Sequence, residues 1–277
     1  MSDVADKVED VEAELLLEGI QRVYGYDFRD YADASIRRRL SHWLAESSFA
    51  TLSEAQSQLL RQPQLFLSLL RGITVNVTEM FRDPAFFKGV RQLVVPFLKT
   101  YPHVKIWHAG CATGEEAYSM AILLNEEGLA GRYRMYATDI DDEVLAKAAE
   151  GVLPLSEMQK YTRNYQKSGG TGSFANYYTA RYGRAILSAE LKKSIVFAPH
   201  NLASDAEFGE MNLVLCRNVM IYFKAALKAR CLSLFDSSLL PGGFLCLGLK
   251  ESLERKILAA RYDELQPNLR IYRKRYA

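Results

Sequence analysis

The sequence has few cysteines and none at metal-ligand spacing. Cys111, Cys216, Cys231 and Cys246 lie far apart, each in an apolar stretch and with no CxxC pair, which argues against a disulfide framework or a zinc site and fits a reducing cytoplasm. Charge of one sign is also lacking: 35 basic and 33 acidic residues leave a net +2, so nothing draws the whole chain to nucleic acid or anionic lipid, and any electrostatic recognition must be local. The first twenty residues hold no basic segment followed by an apolar core, and Pro241-Gly242-Gly243 breaks the longest uncharged run near the C-terminus. The expectation is no signal peptide and no membrane insertion. No HxH or HExxH spacing surrounds His108 or His200, so no metal is expected. His42, beside Trp43, reads as a surface or packing residue. GxGxxG and a Walker lysine are both missing, which disfavours a dinucleotide or a nucleoside triphosphate.

Two textures divide the 277 residues. Residues 1–88 read as an all-α N-terminal domain and linker: Val4, Val8, Val11 and Leu15 recur at helical spacing, as do Ile36, Leu40, Trp43 and Leu44. The acidic leader from Asp3 to Glu18 reads as a solvated helix face. From residue 89 to 277, apolar strands (VKIWHA, RMYATDI, IVFAPHN, MNLVLCR, GFLCLGL) alternate with helical segments. That alternation predicts an α/β domain with a mostly parallel sheet covered on both faces. Between about 152 and 194 the alternation lapses into a polar, Tyr-rich stretch with KSGGTGS in its middle, read as a small antiparallel β-subdomain insertion. Tyr161, Tyr165, Tyr177, Tyr178 and Tyr182 are expected to pack within it, since no basic clusters interleave them to make a base-stacking surface.

The stretch VKIWHAGCATGEEAYSMAILL carries the chemistry. A strand ends on Gly110 and Gly114, and a helix then opens with Glu115 and Glu116. Such a turn usually receives an anion, but two glutamates are wrong for phosphate and suit a ligand bearing hydroxyls or positive charge. Asp139 ends the next strand, where a doubly wound sheet places the acid that binds ribose hydroxyls. S-adenosylmethionine (SAM) combines adenosine with a sulfonium and an amino-acid tail, and it fits this set better than NAD does. A plain tight turn with glutamates favouring the helix N-terminus is the bland alternative.

Four segments in order, NVTEMFR (76–82), HAGCATGEEAYS (108–119), ATDID (137–141) and LCRNVMIYF (215–223), resemble the signature segments of the CheR family, the chemotaxis-receptor glutamate O-methyltransferases. The resemblance implies a Rossmann-like class I SAM-dependent methyltransferase domain with the β-subdomain insertion, behind an all-α domain. It implies that Asn76, Thr78 and Arg82 belong to a segment closing over SAM, that Glu116 meets its amino-acid portion, and that Asp139 binds the ribose. Asn201 and Leu202 would flank the adenine, and Arg217 and Asn218 would line the cofactor site near Tyr222. Arg82 and Tyr222 are the catalytic candidates, Arg82 orienting the acceptor carboxylate and Tyr222 packing against the methionyl part of SAM.

The same resemblance implies that the arginines Arg37, Arg38 and Arg39 recognise the cytoplasmic helical domain of chemoreceptors. It also implies that a receptor C-terminal tail can dock on the β-subdomain by strand addition, and that a cytoplasmic monomer is recruited to receptor arrays. One departure stands out. Where many relatives carry Gly-His-Ser-Glu, this chain reads Gly248-Leu249-Lys250-Glu251-Ser252, which puts the receptor partner in question more than the SAM site. A SAM-binding adaptor, or a methyltransferase with another acceptor, are the competing readings.

Overall fold

The computed structural model describes residues 2–74 and 76–276, and of residues 2–6, 255, 258 and 259 the backbone alone. The chain forms two compact units. One comprises Met1–Val75 with Asn201–Asp205 and Tyr222–Cys231; the other comprises Asn76–His200, Ala206–Ile221 and Leu232–Ala277.

The first unit is built on helices α1 (Ser2–Tyr24), α2 (Asp33–Glu46), α3 (Leu52–Leu59) and α4 (Pro63–Ile73). Thr51 caps α3 by accepting the Glu54 N–H at 3.1 Å, and Pro63 opens α4, where a missing N–H costs nothing. Helix α1 turns Ala13, Leu16, Leu17 and Ile20 inward and leaves Val8, Val11 and Leu15 half exposed; the side chain of Val4 lies outside those described. The helical spacing of the valines is real, therefore, but the buried face is set by the residues beside them. Ile36, Leu40 and Trp43 are buried as their spacing predicts. Tyr24 stacks on Phe66 with centroids 4.2 Å apart. A returning segment joins this unit, the Tyr222 carbonyl accepting the Ala32 N–H at 2.8 Å.

In the second unit, α5 (Pro84–Gly89) passes through a π-helical turn (Val90–Val94) into α6 (Val95–Leu98). There follow β1 (Val104–Ala109), α7 (Glu115–Glu126), β2 (Tyr133–Asp139), α8 (Asp142–Glu150), β3 (Val152–Pro154), α9 (Met158–Lys167), β4 (Tyr178–Arg181), β5 (Arg184–Leu187), α10 (Ala189–Lys192), β6 (Ile195–Pro199), β7 (Met211–Cys216), α11 (Ala225–Ser238), β8 (Leu239–Leu247), α12 (Arg255–Arg261), β9 (Tyr262–Gln266) and β10 (Ile271–Lys274). The main sheet has the order β6-β2-β1-β7-β8-β10-β9, parallel from β6 to β8 and antiparallel through β10 and β9. β1 and β7 are buried almost throughout because helices cover both faces. The order reverses between β1 and β7, and a ligand crevice opens beyond the carboxyl ends of strands at such a switch.

A second, three-stranded antiparallel sheet, β3-β5-β4, forms the insertion. Besides the sheet, the insertion holds the helix α9 at 158–167, because Met158, Tyr161 and Tyr165 fall on one buried face. Tyr165 and Tyr177 both donate to Glu126 of α7, the latter at 2.8 Å. Arg91 pairs with the same carboxylate at 2.5 Å and with Glu127 at 3.0 Å. The tyrosines therefore pin the insertion to α7, while Tyr182, 88% exposed in the β4–β5 turn, packs against nothing in the core. Among the described residues no helix is long and apolar enough to cross a membrane.

Candidate active site

The site is built from loops at the carboxyl ends of β1, β2 and β7. Gly110 adopts φ +73°, and a Cβ there would lie 2.4 Å from Val219 Cγ2. Glycine is required by the left-handed turn and by Val219 packed onto it, not only by the approach of a ligand. Ala112, two residues on, is held at φ 47° although it has a side chain. The reason is on the facing strand: Asp139 Oδ2 accepts the Ala112 N–H at 2.8 Å, while Oδ1 accepts those of Ile140 at 2.8 Å and Asp141 at 3.3 Å. Burial pushes the Asp139 carboxyl upward, and these N–H groups oppose it. A carboxylate offers about four lone-pair positions, so acceptor capacity remains for hydroxyls.

Glu116, in the first turn of α7, is held by the protein at both carboxylate oxygens. Its Oε1 is 2.9 Å from His108 Nε2 and its Oε2 2.5 Å from Arg217 Nη1, whose Nη2 reaches Asp83 at 2.7 Å. Burial alone would push the Glu116 carboxyl up; Arg217 and His108 together outweigh it and hold it at about 2. Arg217 also lies 3.9 Å over the Phe86 ring. Glu115 accepts the Thr113 hydroxyl at 2.6 Å, and burial pushes its carboxyl upward. Two carboxylates, Asp83 and Glu116, thus share one guanidinium, while Glu115 and Asp139 on the neighbouring loops are held by a hydroxyl and by backbone N–H groups without a cation. That surplus of negative charge in a buried site fits a ligand with a sulfonium and an ammonium, and it would repel a pyrophosphate.

Around Arg82 the backbone is strained. Phe81 at φ 53° and Asp83 at φ 57° both occupy the left-handed region, at a cost of order 1–3 kcal/mol each. Phe81 is fixed there by its buried ring and by its N–H on the Ser119 hydroxyl at 2.8 Å, and Asp83 by Arg217. The half-buried Arg82 between them donates to the Val77 carbonyl at 3.2 Å. Asn76 and Thr78 lie half-buried on the same segment before α5. Asn218, at φ 62°, follows Arg217 directly.

These residues, from Asn76 to Asn218, belong to the second unit. Asn201, Leu202, Tyr222 and the three arginines belong to the first. There the Asn201 side-chain carbonyl accepts the Ala203 N–H at 2.9 Å, and Leu202 is buried. The arginines part company. Arg37 pairs with Asp10, Arg38 is exposed, and the half-buried Arg39 donates to the Ile73 carbonyl and lies 4.8 Å over the Tyr222 ring. Sequence reasoning missed His108 as a partner of Glu116, and Asp83 as a partner of Arg217. The first had a signal in its place two residues before Gly110; the second, 134 residues from Arg217 in the chain, had none.

A switch-point crevice with an acid ending β2 and a glycine turn that opens a helix on two glutamates is the arrangement of a class I SAM-dependent methyltransferase, and a family match supports that class. The SAM-binding domain model of the CheR methyltransferase family matches residues 76–263, and its all-alpha domain model matches residues 12–74. The chain belongs to the CheR methyltransferase family. A Pseudomonas putida protein with the provisional name methyltransferase Cher3 is 48% identical, over 96% of this chain and 97% of its own length. Chemotaxis protein methyltransferase 2 of Pseudomonas aeruginosa is 31% identical over 85% of this chain and 84% of its own. A 104.1 kDa protein of Rhodobacter capsulatus is 31% identical over 85% of this chain, which spans 25% of it.

Proposed function

We propose that this protein methylates glutamate side chains of methyl-accepting chemotaxis receptors, giving methyl esters for adaptation in chemosensory signalling. Arg82 is the observation that carries the reading. It is a half-buried guanidinium set between two strained residues, with the Val77 carbonyl taking one of its five N–H donors. Such a group suits an incoming carboxylate. The names of the relatives that are chemotaxis protein methyltransferases support methylation in chemotaxis.

SAM, when bound, supplies an activated methyl on a sulfonium. A glutamate carboxylate is already anionic at neutral pH, so its oxygen takes the methyl carbon as the carbon–sulfur bond breaks, the electron pair goes to sulfur, and no proton moves. The chain therefore supplies positioning rather than acid or base, an effect worth up to about 7–11 kcal/mol. Asp139 holds the ribose hydroxyls. Glu116, braced by His108, and Arg217 with Asn218 set the charge around the amino-acid portion. Asn201 and Leu202 flank the adenine, and Asn76 and Thr78 belong to the closing segment. Arg82 orients the acceptor, while Tyr222 packs near the reacting methyl under the hold of Arg39. Exposed Arg37 and Arg38 meet the acidic helical domain of the receptor, and the open edge of β4 is where a receptor tail would add as a strand.

The test is transfer of radiolabelled methyl from SAM to receptor-containing membranes, followed by mild alkali. Label released as volatile methanol is the expected result. Alkali-stable label would point to another acceptor, and SAM binding without any transfer would point to an adaptor.

A further inference from the structure

We infer that Glu251 is a positioning residue of the SAM site: its buried carboxylate clamps the loop 217–221 onto the glycine loop that receives the cofactor. Glu251 is 5% exposed and lies just beyond β8. Its Oε2 accepts the N–H of Gly248 at 2.6 Å and of Asn218 at 3.0 Å; its Oε1 accepts those of Val219 at 3.0 Å and Ile221 at 3.2 Å. Four backbone donors on one carboxylate are a charge-assisted set that no neutral side chain of the same shape can replace. Its grip covers three residues that leave β7 and enter a short 3-10 turn (Met220–Tyr222).

The clamp reaches the cofactor site at two points. Val219 carries its side chain into the space a Cβ on Gly110 would fill, at 2.4 Å. Arg217, next to Asn218, holds Glu116 at 2.5 Å and Asp83 at 2.7 Å. Gly248 completes the fit, because a Cβ there would stand 2.6 Å from Glu251 Oε2 and 2.7 Å from the Asn218 nitrogen. Its glycine is explained by closeness rather than by a left-handed turn. The segment Gly248-Leu249-Lys250-Glu251-Ser252 thereby keeps a function in its glycine and glutamate despite lacking histidine.

This inference rests on the cofactor placement proposed above, and its test reads cofactor binding, which needs no methyl acceptor. SAM affinity is measured by calorimetry, beside thermal melting, for the full chain and for Glu251→Gln, Glu251→Asp, Gly248→Ala and Asp139→Asn. Asp236→Asn serves as control, since Asp236 is a buried carboxylate that accepts the Tyr262 hydroxyl at 2.9 Å by the amino-terminal end of β8. Glu251→Gln is expected to weaken SAM binding at least tenfold, with part recovered by Glu251→Asp, which keeps the charge. Gly248→Ala should weaken it comparably through volume instead of charge, so the inference stays testable if Glu251→Gln does not fold. The control should lose stability and keep its affinity within twofold. Native affinity in Glu251→Gln or Gly248→Ala, or a control that loses as much affinity as they do, would overturn the clamp. Native affinity in Asp139→Asn, with loss in Glu251→Gln, would instead overturn the placement of the ribose.

Discussion

At the scale of single residues, the proposed role of Asp139 is to hold the ribose, and its loss should be felt in binding before it is felt in chemistry. Asp139→Asn keeps the side chain's size but presents an NH2 either to the Ala112 N–H or to those of Ile140 and Asp141, and removes the charge offered to the ligand. Hydrogen bonds to charged groups contribute about 1.5–3 kcal/mol, so SAM affinity should fall roughly ten- to a hundredfold by calorimetry. Arg82→Ala should show the opposite pattern: SAM affinity within a few-fold of native and methyl transfer down by about a hundredfold or more in a single-turnover assay. Acid should weaken SAM binding early. Burial raises the carboxyls of both Asp139 and Glu115, so each takes up a proton above the ordinary range of about 3.9–4.3 and then no longer serves as a charged acceptor. A calorimetric titration across mildly acidic pH, with affinity flat down to the ordinary carboxylate range, would sink that argument.

Individual elements are held to one another by buried ions, and here pH acts on stability. Glu116 ties the first turn of α7 to His108 of β1 and to Arg217 beyond β7. Its carboxyl is depressed to about 2, so its contribution is fully present above the ordinary value of about 4.3 and is lost as pH falls toward about 2, on the order of 3 kcal/mol in all. Glu116→Gln should lower stability at neutral pH and flatten the acid limb of a denaturation curve; an acid limb of unchanged steepness would remove Glu116 as its source. Glu126 does similar work for the insertion, and Glu126→Ala would leave Arg91 to Glu127 and take the acceptor from the Tyr165 and Tyr177 hydroxyls. The expected loss is about 1–3 kcal/mol of unfolding free energy.

These same elements show how far the sequence could be read. The five apolar stretches are all strands of the main sheet, because buried parallel strands are continuous apolar runs. The helix α9 was illegible beside them: its tyrosines sit at helical spacing within a segment too polar to look buried, and only Arg91 and Glu126, distant in sequence, make sense of them. At the site, the places of Gly110 and Asp139 are legible from spacing along one strand-turn-helix unit and the next, whereas the choice of Glu116 over Glu115 rests on the family resemblance. Asp83 and Glu251 could not be read, since each meets the site across more than thirty residues.

On the scale of the whole molecule, the division of labour predicts a separable phenotype. Replacing Arg37 and Arg38 together by alanine should reduce turnover on receptor membranes by about tenfold while leaving calorimetric SAM affinity unchanged. Arg39→Ala should instead disturb the Ile73 carbonyl and the Tyr222 ring it covers, so it belongs with the stability variants; unchanged melting in that variant would argue otherwise. The cysteines set aside at the outset acquire a use here. All four are buried, with the Cys231 and Cys246 thiols pushed up to about 12 by burial and Cys111 raised well above its ordinary value. Such thiols are poor nucleophiles in the closed protein. Cys231 lies in the first unit and the other three in the second, so modification by a chromogenic disulfide reagent times the opening of each unit from within. A bound cofactor should slow the three clocks of the second unit, and slowing of Cys231 as well would report the contacts proposed for Asn201, Leu202 and Tyr222.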